Sequence, residues 1–422
     1  MTNSNSLQYA QQLDHEDPLR KWRDEFWIPT RENGDQEVYF VGNSLGLQPK
    51  RTADFVQAEL EKWQRLGVRG HFESDHPWMP YHECLAEPMA DLIGAKPGEV
   101  VMMNGLTVNL HLMLATFYRP TKSRHKILIE EHAFPSDYQV AESQILHHGF
   151  DSAQSLVVAK PEAGQTTLGS DALCDLIRQQ GESLAVVLLP GVQYYTGQVI
   201  DMARVAEAAH SVGAIIGLDL AHAAGNVPLS LHDWNIDFAA WCSYKYLNSG
   251  PGSVAGCFVH QKHATNVSLS RLAGWWGHDK ETRFEMKNHF RPIPTAEGWQ
   301  LSNPPILSLA AVRASLSLFA EAGGIAPLRE KSLRLTAYFQ QRLEQTLGNR
   351  VNIITPTNAD QRGCQLSFEL VGGEGREVQD KLESRGMMTD WREPNVIRAA
   401  PVPLYNSFED VLRFVETLTE IM

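Results

Sequence analysis

Cysteine is scarce: five residues, at positions 84, 174, 242, 257 and 364, odd in number and widely scattered. No two stand in CxxC spacing, so a disulfide framework, a zinc ribbon and a dithiol redox motif are not indicated, and no metal is expected. Cys242 and Cys257 fall in apolar runs and read as small core residues. Positive charge is also short, with 37 Lys+Arg against 50 Asp+Glu and a formal net charge of −13. That balance argues against nucleic acid as the main partner, which calls for a basic face. A small anion stays possible, because local amides and one or two cations bind phosphate on an acidic protein. No apolar run approaches the roughly 20 residues of a membrane-spanning helix. The N-terminus shows no basic-then-apolar leader pattern. A cytoplasmic protein with no membrane partner is the expectation.

What the chain does contain, over 422 residues, is alternation. "HKILIEE" (125–131), "SLVVAK" (155–160), "LAVVLLPG" (184–191), "AIIGLDLAHA" (214–223), "DFAAWCSYK" (237–245) and "VAGCFVH" (254–260) read as buried strands. Helical patterns at 107–118, 137–148 and 201–213 lie between some of them; the last has Asp201 as N-cap and Gly213 as its stop. Continuously apolar strands alternating with helices predict an α/β fold, a mainly parallel sheet covered by helices on both faces. We place this large domain at 50–305. Beyond it, two long helical patterns, the second closed by Gly348, are followed by short strands and further helices, a smaller α+β domain at 306–422. Residues 1–49 read as an N-terminal arm and small-domain segment, with a short helix packing on a neighbour.

Ligands of open parallel sheets bind beyond the carboxyl ends of the strands. The polar residues that end the apolar runs, Asp219, His222, Tyr244 and Lys245, are therefore the first candidates. Asp219 and Lys245 at the ends of adjacent strands read either as a plain ion pair or as a pyridoxal-phosphate site. In the second reading the lysine anchors the cofactor and the aspartate keeps its ring nitrogen protonated. Thr107, behind Gly105 and Leu106, opens a helix whose free N–H groups suit a phosphate, although any N-cap threonine looks alike. In "HAFPSDYQ" Phe134 either stacks on a planar ring or fills the core, and Asp137 either positions a polar group or caps a helix. Arg398, inside the apolar run "VIRAAP", needs an anion: a structural carboxylate or a substrate one.

Taken in order, "YFVGNSLGLQPK", "NGLTVNLHLML", "HAFPSDYQ", "YYTGQ", "DLAHAAGNVPLSLHDWNIDFAAWCSYKYLNSGPG", "GWWGH", "WQLSNPPILSL" and "APVPLYNSF" resemble the kynureninase family of the fold-type I pyridoxal-phosphate superfamily. The matches run through nearly the whole chain. The resemblance implies pyridoxal 5′-phosphate as cofactor and hydrolytic Cβ–Cγ cleavage of L-kynurenine to anthranilate and L-alanine. It implies 3-hydroxykynurenine as a secondary substrate and a homodimer with shared sites. Carried over, Lys245 holds the cofactor, Asp219 meets its ring nitrogen and His222 lines the same side. Phe134 stacks on the ring, with Ser136 and Asp137 beside it. Leu106, Thr107 and Tyr244 contact the phosphate; Tyr244, adjacent to Lys245, is also our candidate general acid/base. Trp275 and Asn303 complete the site, typically from the second subunit. Arg398 takes the α-carboxylate, while His71, Ser302 and Asn303 face the aryl ring. One departure is Pro190, where animal members carry serine; proline offers neither hydroxyl nor N–H. Within the superfamily a cysteine desulfurase or lyase is the runner-up; it would need a nucleophilic cysteine on a mobile loop, and the only late one, Cys364, opens a predicted strand in "GCQLSFEL" and reads as core.

Overall fold

The computed structural model describes residues 6–372 and 375–422; the first five residues of the expected N-terminal arm lie outside them. A two-residue strand, β1 (Val38–Tyr39), precedes the seven strands of the large sheet. These are β2 (Val100–Met102), β3 (Lys126–Glu130), β4 (Leu156–Ala159), β5 (Leu184–Pro190), β6 (Ile215–Asp219), β7 (Phe238–Trp241) and β8 (Gly256–Val259). Their order across the sheet is β2-β8-β7-β6-β5-β3-β4. Strands β3 to β7 are mutually parallel, and β8 alone is reversed against its two neighbours.

Successive side chains of a strand point to opposite faces, so a strand covered on both sides must be apolar at every position. That is what the packing shows. Leu128, Val187, Leu189, Ile216, Leu218, Ala239 and Trp241 enter one core with the helices Ala86–Ile93, Ser170–Gln180, Met202–Ser211 and Ile306–Glu321. Their chain neighbours Ile127, Ile129, Val186, Leu188, Phe238 and Ala240 enter another with the helices Leu106–Phe117 and Pro135–His147. The strands end earlier than their apolar runs: β6 stops at Asp219, and Leu220 to Asn226 turn back on themselves through hydrogen bonds such as Ala223 N to Leu220 O (2.9 Å). β2 is not foreseen because three residues carry no readable period.

The second sheet contains β9 (Val351–Ile353), β10 (Leu366–Leu370), β12 (Asp390–Arg392) and β13 (Val396–Ala399), antiparallel in the order β12-β13-β10-β9. The helices Ile325–Leu347 and Phe408–Ile421 share a core with it. Both ends of the chain meet here. β1 pairs in parallel with β11 (Met387–Met388), Val38 opposite Met387. The helix Leu7–His15 packs on Phe408–Ile421, and the Asp14 carboxylate accepts from Phe408 N (2.7 Å) and Glu409 N (3.0 Å) at that helix's N-terminus. Anions are favourable there because the first turn's N–H groups lack intrahelical partners. Among the described residues no single helix is long and apolar enough to cross a membrane.

Candidate active site

Beyond the carboxyl ends of β3, β5, β6 and β7 lies a cavity of about 530 Å³. Lys245 reaches it from the turn after β7. That turn is held through its backbone: Gly46 N donates to Tyr244 O (2.8 Å) and Asn248 N to Lys245 O (2.9 Å). A side chain at Gly46 would stand 2.3 Å from the Lys245 carbonyl oxygen, so this close approach requires glycine. The stretch "GNSLG" is thereby explained as the brace of the lysine turn, and Asn43 and Ser44 from it also line the cavity.

Lys245 Nζ lies 3.0 Å from His222 Nε2. Burial, then the neighbouring Lys245, Arg398 and Arg392 cations, push the His222 pKa well below the ordinary imidazole value. The ring is therefore neutral, Nε2 accepts from the lysine amine, and Nδ1 carries the proton. That Nδ1 is buried and has no hydrogen-bond partner among the described residues. Phe134, 41% exposed, is the N-cap of the helix Pro135–His147 and sits in the cavity wall. Its ring centroid is 5.8 Å from Lys245 Nζ, and it meets Tyr194 edge-to-face at 5.2 Å. An open aromatic beside an amine is a seat for a planar ring.

Elsewhere on the cavity wall the helix Leu106–Phe117 begins without a side-chain cap, leaving first-turn N–H groups at Leu106 and Thr107 for an anion. Tyr244 and Ser253 line the same space. Burial first, then Cys242, raise the Tyr244 pKa, so its hydroxyl keeps its proton at neutral pH.

Three carboxyl groups on three elements also face this cavity: Glu130 closing β3, Asp137 in the first turn of its helix, and Asp219 closing β6. Asp219 Oδ1 accepts from Ala221 N (2.7 Å). Burial raises the Asp219 pKa, opposed by that N–H, by Lys245 and by a hydrogen bond from Asp137. Asp137 is raised far more, by burial and then by the Asp219 charge, so the shared proton resides on Asp137 and Asp219 carries the charge. Ser136 Oγ donates to Asp137 Oδ1 at 3.4 Å. Glu130, 3% exposed, accepts from Gln193 Nε2 (3.2 Å); burial lifts it to about 8, with the Asp219 charge adding to the rise.

Glu130 makes a first prediction. It stays protonated in the folded protein while its unfolded form ionises in the ordinary carboxylate range. Its contribution is therefore fully present below about 4.5, falls as pH rises, and is lost by about 8. Glu130→Gln cannot ionise. The variant should gain on the wild type by about 1 kcal/mol or more between pH 5 and 8, read as the shift of the urea midpoint. Parallel midpoints across that range would contradict the assignment.

Arg398, 1% exposed on β13, donates from Nη1 to Tyr194 O (2.7 Å) and pairs through Nη2 with Asp390. Arg392 joins it in the cavity wall. The structure thus brings together Leu106, Thr107, Phe134, Ser136, Asp137, Asp219, His222, Tyr244, Lys245 and Arg398. It does not bring His71, Trp275, Ser302 or Asn303 to this cavity within one chain; Ser302, Asn303 and Trp275 face outward. Pro190 lines the cavity beside Asp219, its partner in register, and offers no donor there. Glu130, Tyr194 and Arg392 are absent from the sequence-based set. Glu130 carried the signal that singled out Asp219, an acid ending an apolar run; Arg392 in "DWREPN" carried none. Cys364 is fully buried against Tyr246, its thiol pushed up to about 12, and it does not line the cavity. These residues fit pyridoxal phosphate: an uncapped helix start for the phosphate, an open aromatic beside a lysine for the ring, a buried charged carboxylate, and an orphaned imidazole N–H.

A family model for the kynureninase C-terminal domain matches residues 328–418. Over almost the full length the chain is 52% identical to the kynureninase of Koribacter versatilis, covering 97% of this chain and 96% of that one. It is 51% identical to that of Flavobacterium psychrophilum, over 99% and 98%, and 52% identical to that of Myxococcus xanthus, over 98% and 96%. Among solved structures, a cysteine desulfurase from Thermococcus onnurineus NA1 superposes with a TM-score of 0.74 at 19% identity, over 91% of this chain and 94% of that one. The cysteine desulfurase CsdA of Escherichia coli does so at 0.74 and 19%, over 96% and 98%. Those two likenesses show the fold.

Proposed function

The chain belongs to the kynureninase family, and from that premise we propose how its own residues carry the family's reaction. It hydrolyses the Cβ–Cγ bond of L-kynurenine to give anthranilate and L-alanine, in tryptophan catabolism, with pyridoxal 5′-phosphate as cofactor. Pyridoxal phosphate, when bound, supplies an electron sink for the pair released at the substrate Cα. Lys245 Nζ anchors it at rest and moves the Cα proton in turnover. Asp219, with Asp137 donating to it, would hold a negative charge for the cofactor's ring nitrogen. His222, neutral, keeps the amine oriented through Nε2 and leaves Nδ1–H for the cofactor. The N–H groups at Leu106 and Thr107 would take the phosphate, and Phe134 would cover the ring. Tyr244, protonated at neutral pH, serves as general acid toward the aryl ketone oxygen as water adds. Arg398 takes the α-carboxylate.

His71, Ser302 and Asn303 are read as aryl-ring contacts, with 3-hydroxykynurenine as a secondary substrate. Trp275 and Asn303 lie on the surface away from their own cavity, which supports a homodimer whose partner completes the site. A closed twofold pair is the commonest such assembly. We read the large domain as 50–305, the smaller as 306–422, the segment 1–49 as an N-terminal arm and part of the small domain, and the protein as cytoplasmic.

The contact that carries this reading is Lys245 Nζ on a neutral, buried His222 beside the Asp219–Asp137 pair. The purified protein with pyridoxal phosphate should release anthranilate and alanine from kynurenine in equal amounts, followed by fluorescence and amino-acid analysis. Sulfide from cysteine with no anthranilate would overturn it; a buried Cys364 with a raised pKa outside the cavity argues against that chemistry.

A further inference from the structure

β12 and β13 pair so that Asp390 lies directly opposite Arg398. Arg392, two residues along β12, shares a face with Asp390. One carboxylate therefore stands between two guanidinium groups: Asp390 Oδ1 forms an ion pair with Arg392 Nη1 (2.9 Å), which donates to Trp391 O (2.9 Å), and Oδ2 holds Arg398 Nη2. Arg398 spends Nη1 on the Tyr194 carbonyl (2.7 Å). Its Nε is buried and has no hydrogen-bond partner among the described residues. Arg392 is the looser of the two, with 35% of its side chain exposed, and it lines the same cavity.

Two cations and one anion leave one positive charge uncompensated in the cavity wall, beside a buried donor with no acceptor. A buried guanidinium N–H without an acceptor is costly, and a single carboxylate has the charge and the forked geometry that remove the cost. We infer that Arg392 and Arg398 together form a two-guanidinium seat for the substrate's α-carboxylate, and that Asp390 occupies part of it until that carboxylate arrives. This rests on the reading above that Arg398 takes the α-carboxylate, and it adds Arg392 as a second binding residue and Asp390 as the group that positions both. When the substrate enters, Asp390 gives up part of its hold on the pair, so that the substrate carboxylate meets Arg398 through its unpartnered Nε and Arg392 through its guanidinium, while Asp390 stays between the two. Two guanidinium groups then meet two carboxylates, and no charge is left over.

The test compares two probes on the holoenzyme: L-kynurenine, and the amine that is kynurenine without its carboxylate. Binding is read from the change in the cofactor's visible absorbance, which also reports that each variant has an intact site. The wild type should favour the carboxylated probe. In Arg392→Gln that preference should fall roughly 10- to 100-fold, the scale of a charge-assisted hydrogen bond, while binding of the amine changes less than about threefold. Arg392→Lys, which keeps charge without the fork, should fall between the two. If Arg398→Gln loses the preference while both Arg392 variants keep it in full, Arg392 is outside the seat and the inference fails, with the assignment of Arg398 intact. If Arg398→Gln also keeps it, the assignment of Arg398 fails as well.

Discussion

Lys245→Ala should release anthranilate from kynurenine at no more than about one ten-thousandth of the wild-type rate. Lys245 is the only lysine that lines the cavity among the described residues, so no second amine stands ready to replace it. His222, 3.0 Å away, is the nearest base, but burial and the surrounding cations hold its pKa far down and make it a poor proton acceptor. Arginine does not deprotonate in this range, so Arg392 and Arg398 offer no rescue. The loss should not come from unfolding: the turn is fixed by the backbone bonds at Tyr244, Lys245 and Asn248, which alanine leaves in place. Borohydride reduction followed by peptide mass analysis should mark Lys245 in the wild type and nothing in the variant. Kynurenine turnover at the native rate by the alanine protein would refute the role.

Asp219→Asn should lower kcat by roughly 10²- to 10³-fold, with a smaller change in KM. The amide can still accept from Ala221 N, so local geometry survives. What is lost is the negative charge that the Asp137–Asp219 pair keeps on Asp219. Glu130 stands too deep to replace it, since burial and its own pKa of about 8 keep it neutral at pH 7. Asp137→Asn should cost less, because the asparagine N–H still donates to Asp219. Steady-state kinetics of the two variants side by side check the order, and an Asp219→Asn enzyme within threefold of wild type removes the charge argument.

The large sheet was legible because burial on both faces makes its strands apolar throughout, and the residues that end such runs are where a parallel sheet binds ligands. Asp219, His222, Tyr244 and Lys245 follow from that rule alone. Glu130 obeys it too, yet it is followed by Glu131, and a pair of acids reads as a solvated turn; depth in the fold separates them. Arg392 was illegible for a different reason. β12 is three residues of mixed polarity, and only its pairing with β13 sets Arg392 on the face of Arg398. His71, Trp275, Ser302 and Asn303, which the resemblance puts at the site, do not line the cavity within one chain.

The strand β1 and the helix Leu7–His15 emerge from the ribosome well before their partners at Met387–Met388 and Phe408–Ile421. Val38 must wait for about 350 further residues, and at about 5–20 residues per second that is a delay of roughly 20–70 s. The large sheet, complete by Val259, has all its strands long before then. β1 and the helix Leu7–His15 thus lack their partners for most of the time in which the rest of the chain is made.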